Sequence, residues 1–231
     1  MQMWQVLNIQ PGILCLTGGG GKTTLAHALA AQLPGSVVFC TTTKIYPSAQ
    51  MPVLCEVDAP KLASALTRYH AVCIGTPTEE GKLAAPLLPF SRLRELADYV
   101  IVEADGSKGR PMKAHLPYEP VLPAEMDRCI CLVGASGFGE RLETAAHRPE
   151  RFAELADAEL CTPIDAQMTA SVLRQEHSFD AVIVNQVETA RQEAQAQLLA
   201  ELLDDVPVYA GQVRDGQLRR LYGAFSSQNG A

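Results

Sequence analysis

Short apolar runs alternate with longer amphipathic stretches along almost the whole chain. The runs Ile13–Thr17, Val37–Thr41, Ala71–Gly75, Tyr99–Glu103, Cys129–Val133, Ala181–Asn185 and Val206–Ala210 are rich in β-branched residues and predict strands. Val100-Ile101-Val102 and Val182-Ile183-Val184 contain no polar position, as strands of a parallel sheet require when helices cover both faces. Helical spacing predicts helices over Lys22–Gln32, Pro60–Arg68, Ala166–Arg174 and Ala190–Leu203, the last rich in Ala, Gln, Glu and Leu. The alternation predicts an α/β fold of three layers, with a mainly parallel sheet covered by helices on both faces. Ligands of such sheets lie beyond the carboxyl ends of the strands, so the polar residues that follow each run are the candidates for chemistry.

Composition narrows the class. A chain of 231 residues with 47% hydrophobic and 19% charged positions can bury the core of one α/β domain, so residues 1–231 are expected to form a single domain, with 226–231 a frayed polar tail. No apolar run approaches the ~20 residues that span a bilayer, and Met1–Gly12 lacks the basic residues that open a secretory signal; a cytoplasmic protein is expected. The net charge of −7 offers no electrostatic footprint for nucleic acid or an anionic membrane, which leaves small molecules and proteins as partners. Seven cysteines without a Cys-x-x-Cys pair suggest neither a disulfide framework nor a zinc site. Cys129 and Cys131 share a strand face, where core packing is favoured over a soft-metal or selenium-handling role.

The most specific motif is Gly18-Gly19-Gly20-Gly21-Lys22-Thr23-Thr24, between a predicted strand and a predicted helix. Consecutive glycines let the backbone turn its N–H groups toward an anion. In a phosphate loop Lys22 would meet the β- and γ-phosphates of ATP or GTP, Thr23 would offer its hydroxyl to Mg²⁺, and the helix N-terminus would add positive potential. Leu16 stands where the usual G-x-x-x-x-G-K-[ST] pattern opens, so the match is to a short variant. About eighty residues on, Tyr99-Val-Ile-Val-Glu103-Ala-Asp105-Gly106 ends an apolar run in two carboxylates and a glycine. This is a Walker-B-like ending in which Glu103 and Asp105 would hold Mg²⁺ and orient water, while the N–H of Gly106 meets the γ-phosphate.

Other candidates are weaker. Thr41-Thr42-Thr43-Lys44 follows the second run, and the Lys44 ammonium could neutralise phosphate charge; solvated threonines at a strand end are the alternative. Lys108, Arg110, Lys113 and His115 crowd the loop after Gly106 and could grip an anionic substrate or the γ-phosphate, or form a solvated basic loop. His147-Arg148-Pro149-Glu150 reads as a proline-started helix or as part of a substrate or partner site. Gly134–Gly139 is glycine-rich and reads first as a flexible loop. Asn185-Gln186-Val187-Glu188 lies where guanine-reading Asn-Lys-x-Asp occurs in GTPases, with Asn185 supporting the loop and Glu188 as the acceptor; a simple strand-end turn is the alternative.

The glycine loop resembles that of Mur-type ligases, and Glu103-Ala-Asp-Gly106 resembles the Glu-x-x-Gly of metallochaperone GTPases. Thr17–Thr24, Thr41–Lys44, Val102–Lys113 and His147–Glu150 together resemble the YqeC-type family of selenium-dependent hydroxylase accessory proteins, over the chain from the glycine loop to about Asn185. That resemblance implies a phosphate-loop NTPase acting in the maturation of selenium-dependent molybdenum hydroxylases, with the hydroxylase or its cofactor as partner. Relatives often carry an acidic residue after the fifth strand, where this chain has Ala135-Ser136. Three functions follow: an NTPase cycling on a client enzyme, a small-molecule kinase or ligase, and a nucleotide sensor without turnover.

Overall fold

Residues 1–222 are described by a computed structural model, and the predicted tail at 226–231 lies outside them. They form two compact units. The first comprises Met1–Thr17, Thr23–Gly106 and Val121–Cys129; the second comprises Gly18–Lys22, Ser107–Pro120 and the chain from Ile130 onward.

In chain order, the elements of the first unit are α1 (Met3–Val6), β1 (Gly12–Gly18, in this unit to Thr17), α2 (Lys22–Gln32, in this unit from Thr23), β2 (Val37–Thr41), β3 (Lys44–Ile45), β4 (Val53–Cys55), α3 (Ala59–Arg68), β5 (Ala71–Pro77), β6 (Leu83–Ala84), α4 (Phe90–Leu96) and β7 (Tyr99–Glu103). β7 pairs in parallel with both β1 and β2, placing Glu103 opposite Leu16 on one side and Thr41 on the other. β2 continues in parallel to β5, which also pairs with β4, and the short β6 and β3 close that edge antiparallel. The apolar runs of β1, β2 and β7 are buried end to end; α4 packs on β7, as α3 packs on β5. Leu25, Leu29 and Leu33 repeat every four residues and are buried along α2 and just beyond it, while Thr23 and Thr24 stay exposed at its start. Asp58 accepts a hydrogen bond from the Lys61 amide and fixes where α3 begins.

The second unit holds β8 (Met112–Lys113), β9 (Arg128–Gly134, in this unit from Ile130), α5 (Leu142–Ala145), β10 (Ala146–His147), α6 (Pro149–Ala156), α7 (Ala166–Glu176), β11 (Ala181–Asn185), α8 (Ala190–Leu202), β12 (Val208–Gln212) and β13 (Gln217–Leu221). β9, β11 and β12 are successive parallel neighbours and β13 adds an antiparallel edge, while β8 and β10 form a separate parallel pair. Asp165 caps α7 through the Met168 amide, and Thr189 with Gln192 makes a reciprocal capping box on α8. Val133, Phe152, Val172, Val184, Leu199 and Val208 belong to one apolar core in this unit. The fold class is therefore the expected one, mixed α/β with mainly parallel strands flanked by helices.

Two expectations need adjustment. The last predicted strand starts two residues later, at Val208, because Pro207 has no N–H to give a ladder. The segment after β9 is a packed turn and not a flexible loop: Ala135–Gly137 is a 3₁₀ turn, and a Cβ on Gly137 would come within 2.6 Å of Met112. All seven cysteines are free thiols, five of them buried (Cys15, Cys40, Cys73, Cys129 and Cys131) and two exposed (Cys55 and Cys161).

Candidate functional site

The second unit contains the glycine turn. Gly18, Gly20 and Gly21 have φ of 84°, 78° and 120°, which side-chain-bearing residues rarely adopt. Space forbids a side chain as well, since a Cβ at Gly18 would sit 2.2 Å from the Leu132 carbonyl and one at Gly20 would sit 2.4 Å from the Gly134 Cα. The amides of Gly19 and Gly20 donate to the carbonyls of Leu132 (2.9 Å) and Arg110 (3.2 Å). The cradle for an anion is thus narrower than four glycines suggest and begins at Gly21. Lys22 is 5% exposed, and its Nζ donates to the Gly18 carbonyl at 2.5 Å, folding the side chain back over the turn.

Asn185 braces this turn. Its Nδ2 donates to the Gly20 carbonyl at 2.7 Å and its Oδ1 accepts from the Val213 amide at 3.0 Å, so both ends of the buried amide are engaged. The side chain thus ties the end of β11 to the glycine turn. Gln186 takes a left-handed φ of 65° and accepts from the Ser136 hydroxyl at 2.7 Å, and Glu188 is exposed with its amide donating to Gln192 Oε1.

The carboxylates belong to the first unit. Thr23 Oγ1 donates to Glu103 Oε1 at 2.5 Å, which joins the first turn of α2 to the end of β7. The Glu103 carbonyl accepts from the Thr41 hydroxyl (2.7 Å) and the Thr42 amide (3.2 Å), and the Ala104 amide donates to the Leu16 carbonyl (3.0 Å). Three strand ends are thereby tied around Glu103, which is 6% exposed, with Asp105 1% exposed two residues on. A Cβ at Gly106 would meet open space, so the missing side chain leaves room beside the carboxylates. A hydroxyl and carboxylates are hard oxygen donors of the kind Mg²⁺ takes alongside phosphates and water. Among the described residues no group of three or more His, Cys, Asp or Glu side chains could hold a metal without such help.

The remaining candidates have other surroundings. Lys44 lies in a half-exposed ion pair with Glu80 (3.1 Å), while Thr41 and Thr43 hydrogen-bond within the strand end. Of the basic loop, Lys113 pairs with Glu119 at 3.5 Å, and Lys108 and Arg110 are exposed. His115 directs Nδ1 to Glu176 Oε2 at 2.7 Å and its amide to Oε1 at 2.5 Å. Arg148 stands at the position before α6, which begins at Pro149 as expected, makes no side-chain capping bond, and reaches Glu119 with Nη2 at 3.5 Å. Glu119 and Glu176 were not foreseen; each meets its partner only through the fold, Glu176 across 61 residues. Burial pushes the Glu119 carboxyl up, but Lys113, the Leu116 amide and Arg148 together hold it below the usual range.

The fold and the turn define an α/β protein whose first strand passes through a lysine-bearing glycine turn into a helix. The chain belongs to the YqeC family: the family's model, described as YqeC protein, matches residues 14–150. It is similar to a curated protein of Escherichia coli (strain K12) described as uncharacterized protein YqeC, with 30% identity over 156 residues, 63% of this chain. The chain spans 61% of that relative's length. No solved structure matches it. No helix among the described residues is long and apolar enough to cross a membrane.

Proposed function

We propose that the chain acts as one Mg²⁺-dependent nucleotide-binding domain that hydrolyses ATP or GTP. The observation that carries this reading is the 2.5 Å hydrogen bond from Thr23 to Glu103. The hydroxyl directly after the loop lysine and the carboxylate at the end of a parallel strand are the two groups that share Mg²⁺ in phosphate-loop enzymes. Here they are already held together. The metal would supply charge neutralisation and a polarised phosphate. Gly21, Lys22 and the start of α2 would hold the phosphates, Thr23 and Glu103 would take Mg²⁺, Asp105 would position the attacking water, and Gly106 would leave space for the γ-phosphate. The YqeC resemblance supports extending this to an accessory role, in the cytoplasm, in maturing a selenium-dependent molybdenum hydroxylase.

The test is release of inorganic phosphate from ATP and from GTP with and without Mg²⁺, together with binding of each nucleotide. Mg²⁺-dependent turnover of either supports the reading; no Mg²⁺-dependent binding of either overturns it.

Base preference gives a separate prediction. Gln186 lacks the cation of Asn-Lys-x-Asp, and Glu188 has the acceptor on a longer stem, so both nucleotides should bind with at most a modest preference for GTP. Glu188→Ala is expected to remove that preference in parallel titrations. A strong ATP preference, or a GTP preference untouched by the change, would leave Asn185–Glu188 as a brace and a strand-end turn.

A further inference from the structure

The second unit also gathers cations on the strand pair β8–β10. β8 and β10 pair in parallel with Lys113 directly opposite His147, and Arg148 follows in the chain. The Lys113 side chain is fully buried, and its Nζ lies 3.5 Å from Glu119 Oε1; Arg148 Nη2 lies 3.5 Å from the same oxygen. One carboxylate oxygen therefore serves two cations, and both distances are at the outer limit of hydrogen bonding.

Arg148 is held unusually. Its backbone takes φ 66° and ψ 56°, a left-handed conformation that a long side chain adopts only where the surroundings enforce it. Its Nε is buried and has no hydrogen-bond partner, although the side chain as a whole is 35% exposed. Nε and Nη2 form the fork with which a guanidinium takes two oxygens of one carboxylate or phosphate. Here one prong is unpartnered and the other only loosely engaged. The neighbouring His147 ring reports the local potential. Its pKa is lowered to about 4, by burial first and then by Lys113 and Arg148, with Lys108 adding to the effect and Glu119 opposing it. A bound anion would relieve that repulsion.

We propose that Arg148, together with Lys113 and His147, forms a subsite for the oxyanion of a small carboxylate- or phosphate-bearing molecule distinct from the nucleotide. None of the three belongs to the glycine turn or to the Thr23–Glu103 pair, so the subsite stands independently of the hydrolase reading. A protein with both would bring an anionic small molecule to a nucleotide-binding domain, as a kinase or ligase does.

The test follows the His147 ring by NMR, its signal assigned by loss in His147→Gln, in the full chain carrying Lys22→Ala so that the glycine turn does not compete for the anion. Sulfate, doubly charged across the titration, stands in for phosphate, and trifluoroacetate for carboxylate, each against chloride of matched ionic strength. Binding of either should move the His147 midpoint from about 4 toward its ordinary 6.5. Arg148→Gln should abolish the response, whereas Glu119→Gln, which removes the competing carboxylate, should produce it at anion concentrations lower by roughly tenfold. A response to sulfate alone assigns the subsite to phosphate-bearing molecules, and a response to trifluoroacetate alone assigns it to carboxylates. The proposal is overturned if neither anion moves the midpoint in the parent or in Glu119→Gln, or if Arg148→Gln responds like the parent. Should Arg148→Gln not fold, the Glu119→Gln comparison decides alone: no gain in sensitivity overturns it. Failure of ATP and GTP to bind would leave these outcomes untouched, because the glycine turn is already disabled.

Discussion

Lys22→Ala is expected to erase the stabilisation that ATP or GTP confers on this protein. At a ligand concentration a hundredfold above Kd, binding to the native state alone adds about 2.7 kcal/mol. For a chain of this size that corresponds to a rise in Tm of about 5–10 °C. In the proposed phosphate site the lysine would provide the fixed cation for the β- and γ-phosphates, in a turn that already uses the Gly19 and Gly20 amides internally. With fewer amides left for an anion, the ammonium carries a larger share of the attraction than a wide cradle would require. The variant should therefore show almost no shift in a thermal titration. It should also lose a little stability without ligand, about 1 kcal/mol, because the hydrogen bond from Nζ to the Gly18 carbonyl goes with it. A variant that keeps the full nucleotide-induced shift would mean that the glycine turn is not the phosphate site.

The second large effect is expected at Glu103. Glutamine in its place can still accept the Thr23 hydroxyl hydrogen bond, so the end of β7 stays tied to α2, but the charge offered to Mg²⁺ is gone. Turnover should fall on the order of 10²-fold, while nucleotide affinity changes by no more than a few-fold. Asp105→Asn should share the pattern, since a residue that orients water acts on the reaction more than on binding. Single-turnover rates measured beside equilibrium titrations separate the two quantities. If both variants turn over normally, the carboxylates have no part in the chemistry; if both simply lose affinity, they hold ligand and do not activate water.

Much of this was legible in the chain because the strands are continuously apolar. Val37–Thr41, Tyr99–Glu103 and Ala181–Asn185 match the predicted boundaries, as does α2 at Lys22–Gln32, where leucines recur at helical spacing. Pro149 marked the start of α6 for the reason proline usually does, a fixed φ at a position whose N–H has no helical partner. What escaped is what local pattern cannot encode. β3, β6, β8 and β10 are two residues each, too short for a period, and Gln217–Leu221 carries Arg219 and Arg220 side by side, which masks β13. At the site, a loop threonine and a strand-end carboxylate each have a local signature, and the fold brings Thr23 and Glu103 within hydrogen-bonding distance. The Asn185 brace on Gly20 joins residues 165 apart, and nothing near either residue announces the other.

The distribution of thiols gives this protein a built-in tally of its own integrity. Burial raises Cys15 and Cys40 far above the ordinary thiol range, and Cys73, also raised first by burial, lies at about 11, so the reactive thiolate is scarce at those sulfurs near neutral pH. Cys129 and Cys131 are shielded by their strand. A maleimide pulse should therefore mark Cys55 and Cys161 at once and reach the other five only as the chain opens. Because Cys15, Cys40 and Cys73 lie in the first unit and Cys131 in the second, the mass of each labelled fragment after digestion would time the opening of each unit separately.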